Sequence, residues 1–331
     1  MKRRHFFHTA AGVLTAGSST LSALAAAGSD YKISLAQWSQ HRALKGGTLD
    51  NLDWPEYVNN HFGINALEWV NQFFAGKHKT LGKQPIGGTY LNDLKKRCND
   101  NGMETILIMC DGVGSLGNPD EKKRTLAVEG HYAWLDAAKL LGGHSIRVNA
   151  ASDAKLSGEE QSKICADGLR KLSEKAATMD LNVIVENHGG LSSNGAWLSG
   201  VMKSVNLPNC GTLPDFGNFY VAKNRGNTEQ FEAAKSLYTG DQYTVSEKGI
   251  EYDRYKGVTE LMPFAKGVSA KSHDFNEAGE EIHTDFKKMM DIVKAAGYKG
   301  YIGIEYEGSE LPEDEGIMAT KRLLEKVFTE I

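Results

Sequence analysis

Two periodicities take turns along most of this chain. Short apolar runs rich in β-branched residues fall at 32–39, 65–70, 104–111, 145–150, 182–186, 211–216, 267–273 and 301–306, and each reads as a strand. Between them apolar positions recur at helical spacing, predicting helices over 54–62, 90–100, 121–141, 157–179, 194–204, 284–296 and 315–327. In the third of these, Leu126, Tyr132, Leu135, Ala138 and Leu141 share one face, and Gly142-Gly143 ends it. Ser157 and Glu160 form a capping box at the start of the next. The alternation blurs over 218–262, where 231–237 looks helical and 238–255 reads as a long polar loop.

Strands alternating with helices predict a parallel sheet, and eight repeats fit a closed barrel better than an open sheet. The expected fold is an α/β, (β/α)8 TIM barrel, with residues 31–331 as a single domain. Chemistry in such barrels gathers where the C-terminal ends of the strands meet. The stretch Asn182-Val183-Ile184-Val185-Glu186-Asn187-His188-Gly189-Gly190 ends a buried-type run in a carboxylate, an amide, an imidazole and two glycines. Glu186 and His188 sit two apart, so on a strand they face the same way. Pro214-Asp215, Lys271-Ser272-His273 and Glu305-Tyr306-Glu307 repeat the design at later strand ends. Glu186, Asp215, His273 and Glu305 thus form a candidate ligand set for one divalent metal ion.

Val185-Glu186-Asn187-His188-Gly189, Pro214-Asp215-Phe216-Gly217-Asn218 and Gly303-Ile304-Glu305-Tyr306, in this order on successive strand tips, resemble the xylose isomerase-like TIM-barrel superfamily. That group contains sugar and sugar-phosphate isomerases and epimerases, inosose dehydratases, hydroxypyruvate isomerases and apurinic endonucleases. The resemblance implies one metal held by Glu186, Asp215, a strand-seven histidine and Glu305. The chain departs from the family pattern twice. An Asp-x-x-His after strand six is here Asp215-x-x-Asn218, and the usual place of the strand-seven histidine holds Ser269, with His273 four residues later. Ser269, Lys271 and His273 share a strand face, which leaves both His273 and Lys271 as ways to complete the site.

Three carboxylates and one imidazole make a hard, oxygen-rich site suited to Mn²⁺, Mg²⁺ or Co²⁺ and open to Zn²⁺. Glu186 and Glu305 are the catalytic candidates, one removing a proton α to a sugar carbonyl and the other returning it. The expected activity is a metal-dependent sugar or keto-sugar isomerase or epimerase. A lyase or hydratase acting on 3-keto-glycosides is the alternative chemistry, and a non-catalytic exported sugar-binding protein is the alternative from another class. His188, Arg147, Lys271, Asn218, Trp38 and Glu68 are candidate substrate-binding residues. Five of these also have a plain structural reading: His188 in a surface loop beside Gly189-Gly190, Arg147 pairing with Glu186, Lys271 bridging an acidic ligand, Glu68 flooring the barrel and Trp38 filling core.

Composition narrows the partners. A net charge of −4 gives no electrostatic footprint for nucleic acid, which argues against endonuclease action. A small-molecule carbohydrate is the expected partner, and a homo-oligomer stays open. The four cysteines form no CxxC pair, so buried free thiols are the default. Residues 1–30 carry Arg3-Arg4, aromatics, a weakly apolar run and Ala25-Ala26-Ala27, an export signal of twin-arginine type that would deliver the protein to the periplasm. No later apolar run reaches the ~18–20 residues a membrane span needs. The charge runs at 121–124 and 310–315 read as solvated surface.

Overall fold

The computed structural model of the protein describes residues 31–74 and 88–331, so the expected export signal lies outside the described residues. In chain order the strands are β1 (Tyr31–Ala36), β2 (Ala66–Val70), β3 (Glu104–Met109), β4 (Ser145–Val148), β5 (Asn182–Glu186), β6 (Cys210–Leu213), β7 (Tyr220–Lys223), β8 (Tyr243–Val245), β9 (Gly249–Tyr252), β10 (Val268–Ser272) and β11 (Gly300–Tyr306). The α-helices are α1 (His41–Gly46), α2 (Trp54–Phe62), α3 (Gly88–Asp100), α4 (Glu121–Gly130), α5 (Tyr132–Leu141), α6 (Gly158–Ala177), α7 (Gly195–Val205), α8 (Thr228–Leu237), α9 (Arg254–Leu261), α10 (Phe286–Ala295) and α11 (Glu313–Glu330).

Eight parallel strands run in the order β10-β11-β1-β2-β3-β4-β5-β6. The two ends meet without a regular ladder. Isolated parallel bridges join Thr212 to Ala265 and Asp215 to Ser269, and Ser269 N donates to Pro214 O at 2.9 Å while Phe216 N donates to Ser269 O at 3.0 Å. Pro214 has no N–H to give, which shortens β6 to Leu213 against the sequence expectation of 216. The sheet therefore closes into the expected barrel at a seam that runs beside Asp215.

The elements form where local chemistry asks for them. In β5, Val183 and Val185 pack outward among the helices, while Ile184 joins Ala36, Val70, Met109 and Leu213 inside the barrel. The capping box at Ser157 is present, with Glu160 N donating to Ser157 Oγ and Ser157 N to Glu160 Oε2. Phe286, Met289, Met290 and Val293 bury one face of α10, as their spacing predicts. All four cysteines are buried and free.

Three expectations need correction. The helix expected over 121–141 is two helices broken at His131, whose Nδ1 sits 2.7 Å from Ala127 O. Leu126, before the break, is rotated out and exposed. The polar stretch 238–255 is not a loop: β8 and β9 pair antiparallel with each other, and β9 pairs with β7, to form a small sheet beside the barrel. The 310–315 run is not simple solvated surface either. Glu313 accepts hydrogen bonds from the backbone amides of Arg42 and Ala43, and Asp314 from Gln40 and Tyr57, which ties α11 to the chain following β1. Among the described residues no helix is long and apolar enough to cross a membrane.

Candidate active site and metal centre

Glu186 is the last residue of β5, Asp215 lies just past β6 on the closing seam, and Glu305 is the sixth residue of β11. All three are buried, and each offers a carboxylate oxygen within 4.8 Å of the others. Turn chemistry orients Asp215, whose Oδ1 accepts the backbone amides of Gly217 and Asn218 at 2.9 and 2.8 Å. Its own amide donates to Asn187 Oδ1, and Asn187 Nδ2 returns a hydrogen bond to Asp215 O. Ser269, across the seam, donates its hydroxyl 2.7 Å to Asp215 Oδ2 and lies 3.0 Å from Glu305 Oε2.

Two buried cations flank the carboxylates. Lys271 Nζ is 3.2 Å from Glu305 Oε1, 3.1 Å from Glu307 Oε1 and 3.8 Å from Asp215 Oδ2. Burial opposes its charge, yet these acids hold its pKa well above the ordinary lysine value. Arg147 Nη1 donates 2.7 Å to Asp111 Oδ1. Its Nε lies 2.9 Å from Glu186 Oε2 but off the hydrogen-bond axis, so Oε2 has charge contact and no donor. Asn218 Nδ2 donates to the other oxygen of Glu186 at 2.8 Å.

Burial sets the protonation pattern first and the cations then divide it. Burial raises Asp215 to about 6 despite Lys271, and lifts Glu305 well above the carboxylate range. For Glu307 and Asp111 burial is outweighed, by Lys271 and Arg147 respectively, and both are held at about 2. Deeper in the barrel, burial pushes Glu68 up to about 7. Its Oε1 accepts from Ser34 at 2.6 Å and its Oε2 has no hydrogen-bond partner.

The structure brings Glu186, Asp215, Glu305, Lys271, Arg147 and Asn218 together. It places His273 outside the group: β10 ends at Ser272, so the strand alternation stops one residue short. The His273 amide faces Glu281 Oε1, and its ring lies 6.2 Å from that of His283. Ser269 and Lys271 stand with the carboxylates instead. His188 falls beyond its strand and is exposed, its backbone amide turned to Ser192 Oγ at 2.9 Å, while its ring acts on the charges of Asp111 and Glu307 at the edge of the group. Trp38 stacks on His41 with ring centroids 4.9 Å apart and sits under Lys45. Asp111 and Glu307 were not singled out from sequence, although each follows an apolar strand and the same tip signal applied to them.

A profile described as Xylose isomerase-like TIM barrel matches residues 60–327. The chain belongs to the xylose isomerase-like TIM-barrel family. Among solved structures, this barrel is similar to a D-tagatose 3-epimerase-like protein (15% identity, 90% of this chain and 97% of that one covered, TM-score 0.63). It is also similar to a 3-keto-D-glucoside 4-epimerase from E. coli (13% identity, 90% and 99% covered, TM-score 0.59). A third similar structure is an IolI protein with a bound zinc atom (14% identity, 90% and 98% covered, TM-score 0.61). No curated protein matches the chain in sequence.

The donor set of this xylose isomerase-like barrel fits a hard divalent cation. Three converging carboxylates, one of whose oxygens is buried without a hydrogen-bond donor, form an acceptor cluster flanked by Lys271 and Arg147. The seam-side neighbour is a hydroxyl, Ser269, rather than an imidazole, so the candidate ligand atoms are all oxygen. A separate cavity of 340 Å³, lined by Tyr31, Lys32, Ile64 and Tyr301, lies at the N-terminal end of the barrel, the face that carries stability rather than chemistry.

Proposed function

We propose that the protein is a divalent-metal-dependent isomerase or epimerase of sugars or keto-sugars. The observation that carries this reading is the convergence of Glu186, Asp215 and Glu305, all buried, from separate strands at the C-terminal mouth of the barrel. Buried charges at this density are costly without a ligand or a chemical task.

Glu186, Asp215 and Glu305 would hold the ion, which supplies Lewis-acid polarisation of a carbonyl and its neighbouring hydroxyl worth several kcal/mol. Glu186 and Glu305 reach the site from β5 and β11, on different sides of the barrel mouth. One takes the proton from a carbon next to the carbonyl and the other returns it. Such acid–base work contributes roughly 10²–10⁴-fold. Lys271, whose ammonium already touches Glu305, is placed to balance negative charge that develops on substrate oxygen. Asn218 and Arg147 hold Glu186 in position from its two oxygens.

Support for a sugar substrate comes from the family and from structural neighbours named as sugar epimerases. The reading includes export through the Arg3-Arg4 signal, which favours unphosphorylated sugars over cytoplasmic sugar phosphates. The test is solvent deuterium incorporation into a panel of sugars and keto-sugars, with and without chelator. Glu186→Gln and Glu305→Gln should each lower exchange at least 100-fold while the folded signal persists. Near-normal exchange in either variant removes that residue from the mechanism. Product lacking a substituent next to the exchanged carbon would instead identify a lyase on 3-keto-glycosides, a reading kept by the similarity to a 3-keto-D-glucoside 4-epimerase. Binding without exchange would identify a sugar-binding protein.

A further inference from the structure

A cavity of 640 Å³ opens beside the carboxylates, between the loop after β4, the loop after β5 and the inserted segment that carries β7 and α8. Its walls include Asn149, Gln161, His188, Leu191, Leu237 and Tyr238. Two of its wall residues, His188 and Asn149, lead to the site. His188 stands two positions past Glu186, and Asn149 Nδ2 donates 2.7 Å to Asp111 Oδ1, the same oxygen that Arg147 Nη1 reaches at 2.7 Å. Arg147 then meets Glu186.

Three features of this cavity are unexplained by the reaction at the triad. Leu237 is 78% exposed on the cavity wall, where it offers apolar area that a ligand's C–H face can cover. Gly189 and Gly190, at φ 92° and 61°, turn the chain so that an added Cβ would meet nothing within 4 Å, which keeps the floor open. Among the described residues the Tyr238 hydroxyl and the His188 ring make no hydrogen bond, although His188 acts on Asp111 and Glu307 through its charge. Apolar walls with a few unspent polar groups are how pockets of roughly 300–1,000 Å³ recognise compact organic ligands. None of the three carboxylates lines this cavity, so its space is additional to that at the triad.

Building on the isomerase reading above, we propose that this cavity is a second subsite that takes the sugar unit glycosidically linked to the reacting ring, so that the substrate is a glycoside of two or more units. The C–H face of the second ring covers Leu237 and Leu191, and its hydroxyls meet Tyr238, His188 and Gln161. The inserted segment bearing α8 thereby acquires a purpose, since it supplies the Leu237 and Tyr238 wall.

The test is the ratio of disaccharide to monosaccharide affinity, measured calorimetrically on the mature chain with glucose, cellobiose, maltose and trehalose. At least one disaccharide is expected to bind tenfold or more tighter than glucose. Leu237→Asp, at a position exposed enough that folding is not at stake, should remove the apolar platform and bring that ratio to near one. A ratio near one in the unaltered protein, absence of binding by every sugar, or a high ratio untouched by Leu237→Asp would overturn the proposal. Deuterium exchange on the same samples separates the two ideas. Exchange with a ratio near one removes the subsite and spares the isomerase, whereas a high, Leu237-dependent ratio without exchange does the reverse.

Discussion

Lys271 is the residue on which the charge balance of the site turns. It is buried among Asp215, Glu305 and Glu307, and removing one member of a buried ion cluster typically costs about 3–5 kcal/mol because the partners are left uncompensated. Lys271→Met should therefore lower stability by that order in chelator. A divalent ion should restore more stability to the variant than it adds to the unaltered protein, as read by denaturant unfolding with and without MnCl₂. Equal gains in both would mean that the ion and the ammonium do not share the carboxylates. Glu68 gives a second residue-scale prediction. Burial raises its carboxyl from 4.5 to about 7, so the folded state binds this proton more tightly than the unfolded chain does. The stability it contributes is complete below about 4.5 and is lost as pH rises through about 7. Glu68→Gln keeps the neutral shape and removes the titration. The stability of the unaltered protein relative to this variant should fall by up to about 3 kcal/mol across that window. A difference that stays flat with pH would show that Glu68 is not buried as a neutral acid.

At the scale of elements, the tip of β10 shows what periodicity can and cannot decide. The apolar runs predicted all eight barrel strands, and the tip carboxylates of β5, β6 and β11 were readable because each ends such a run. Where β10 ends was not readable. Glu281 is buried and accepts the amides of His273, His283 and Thr284, which draws the chain off the strand line just past Ser272. That is a contact across eight residues, invisible to a local pattern, and it is why Ser269 and Lys271 rather than His273 join the site. The small sheet of β7 to β9 escaped for a related reason. Its strands are three or four residues each and mostly polar on the outer side, so no period could emerge. Replacing Glu281 with Ala strands several buried donors at about 1–3 kcal/mol each. Amide exchange should accelerate over 273–284 while the barrel strands stay protected. Unchanged exchange there would remove Glu281 as the anchor of the loop.

For the whole molecule, the site exists only because the sheet closes. Asp215 on the β6 side and Ser269 on the β10 side belong to opposite ends of the strand order, and in place of a regular ladder two isolated bridges, a few backbone hydrogen bonds and the contacts of Asp215 with Ser269 and Lys271 hold that seam. An ion held by Glu186, Asp215 and Glu305 would link β5, the seam and β11, so its binding energy would act on the weakest join in the barrel. A ligand at a hundred times its dissociation constant stabilises the folded state by about 2.7 kcal/mol if it binds only that state. Melting followed by circular dichroism should therefore shift upward by several degrees with Mn²⁺ or Mg²⁺. Amide exchange at Phe216 and Ser269, whose N–H groups span the seam, should slow in parallel. Asp215→Asn should abolish both effects, since it removes a ligand charge while keeping the side-chain shape. A thermal shift that survives this substitution, or one that leaves the seam amides untouched, would place the ion elsewhere on the protein and leave the three carboxylates to Lys271 and Arg147 alone.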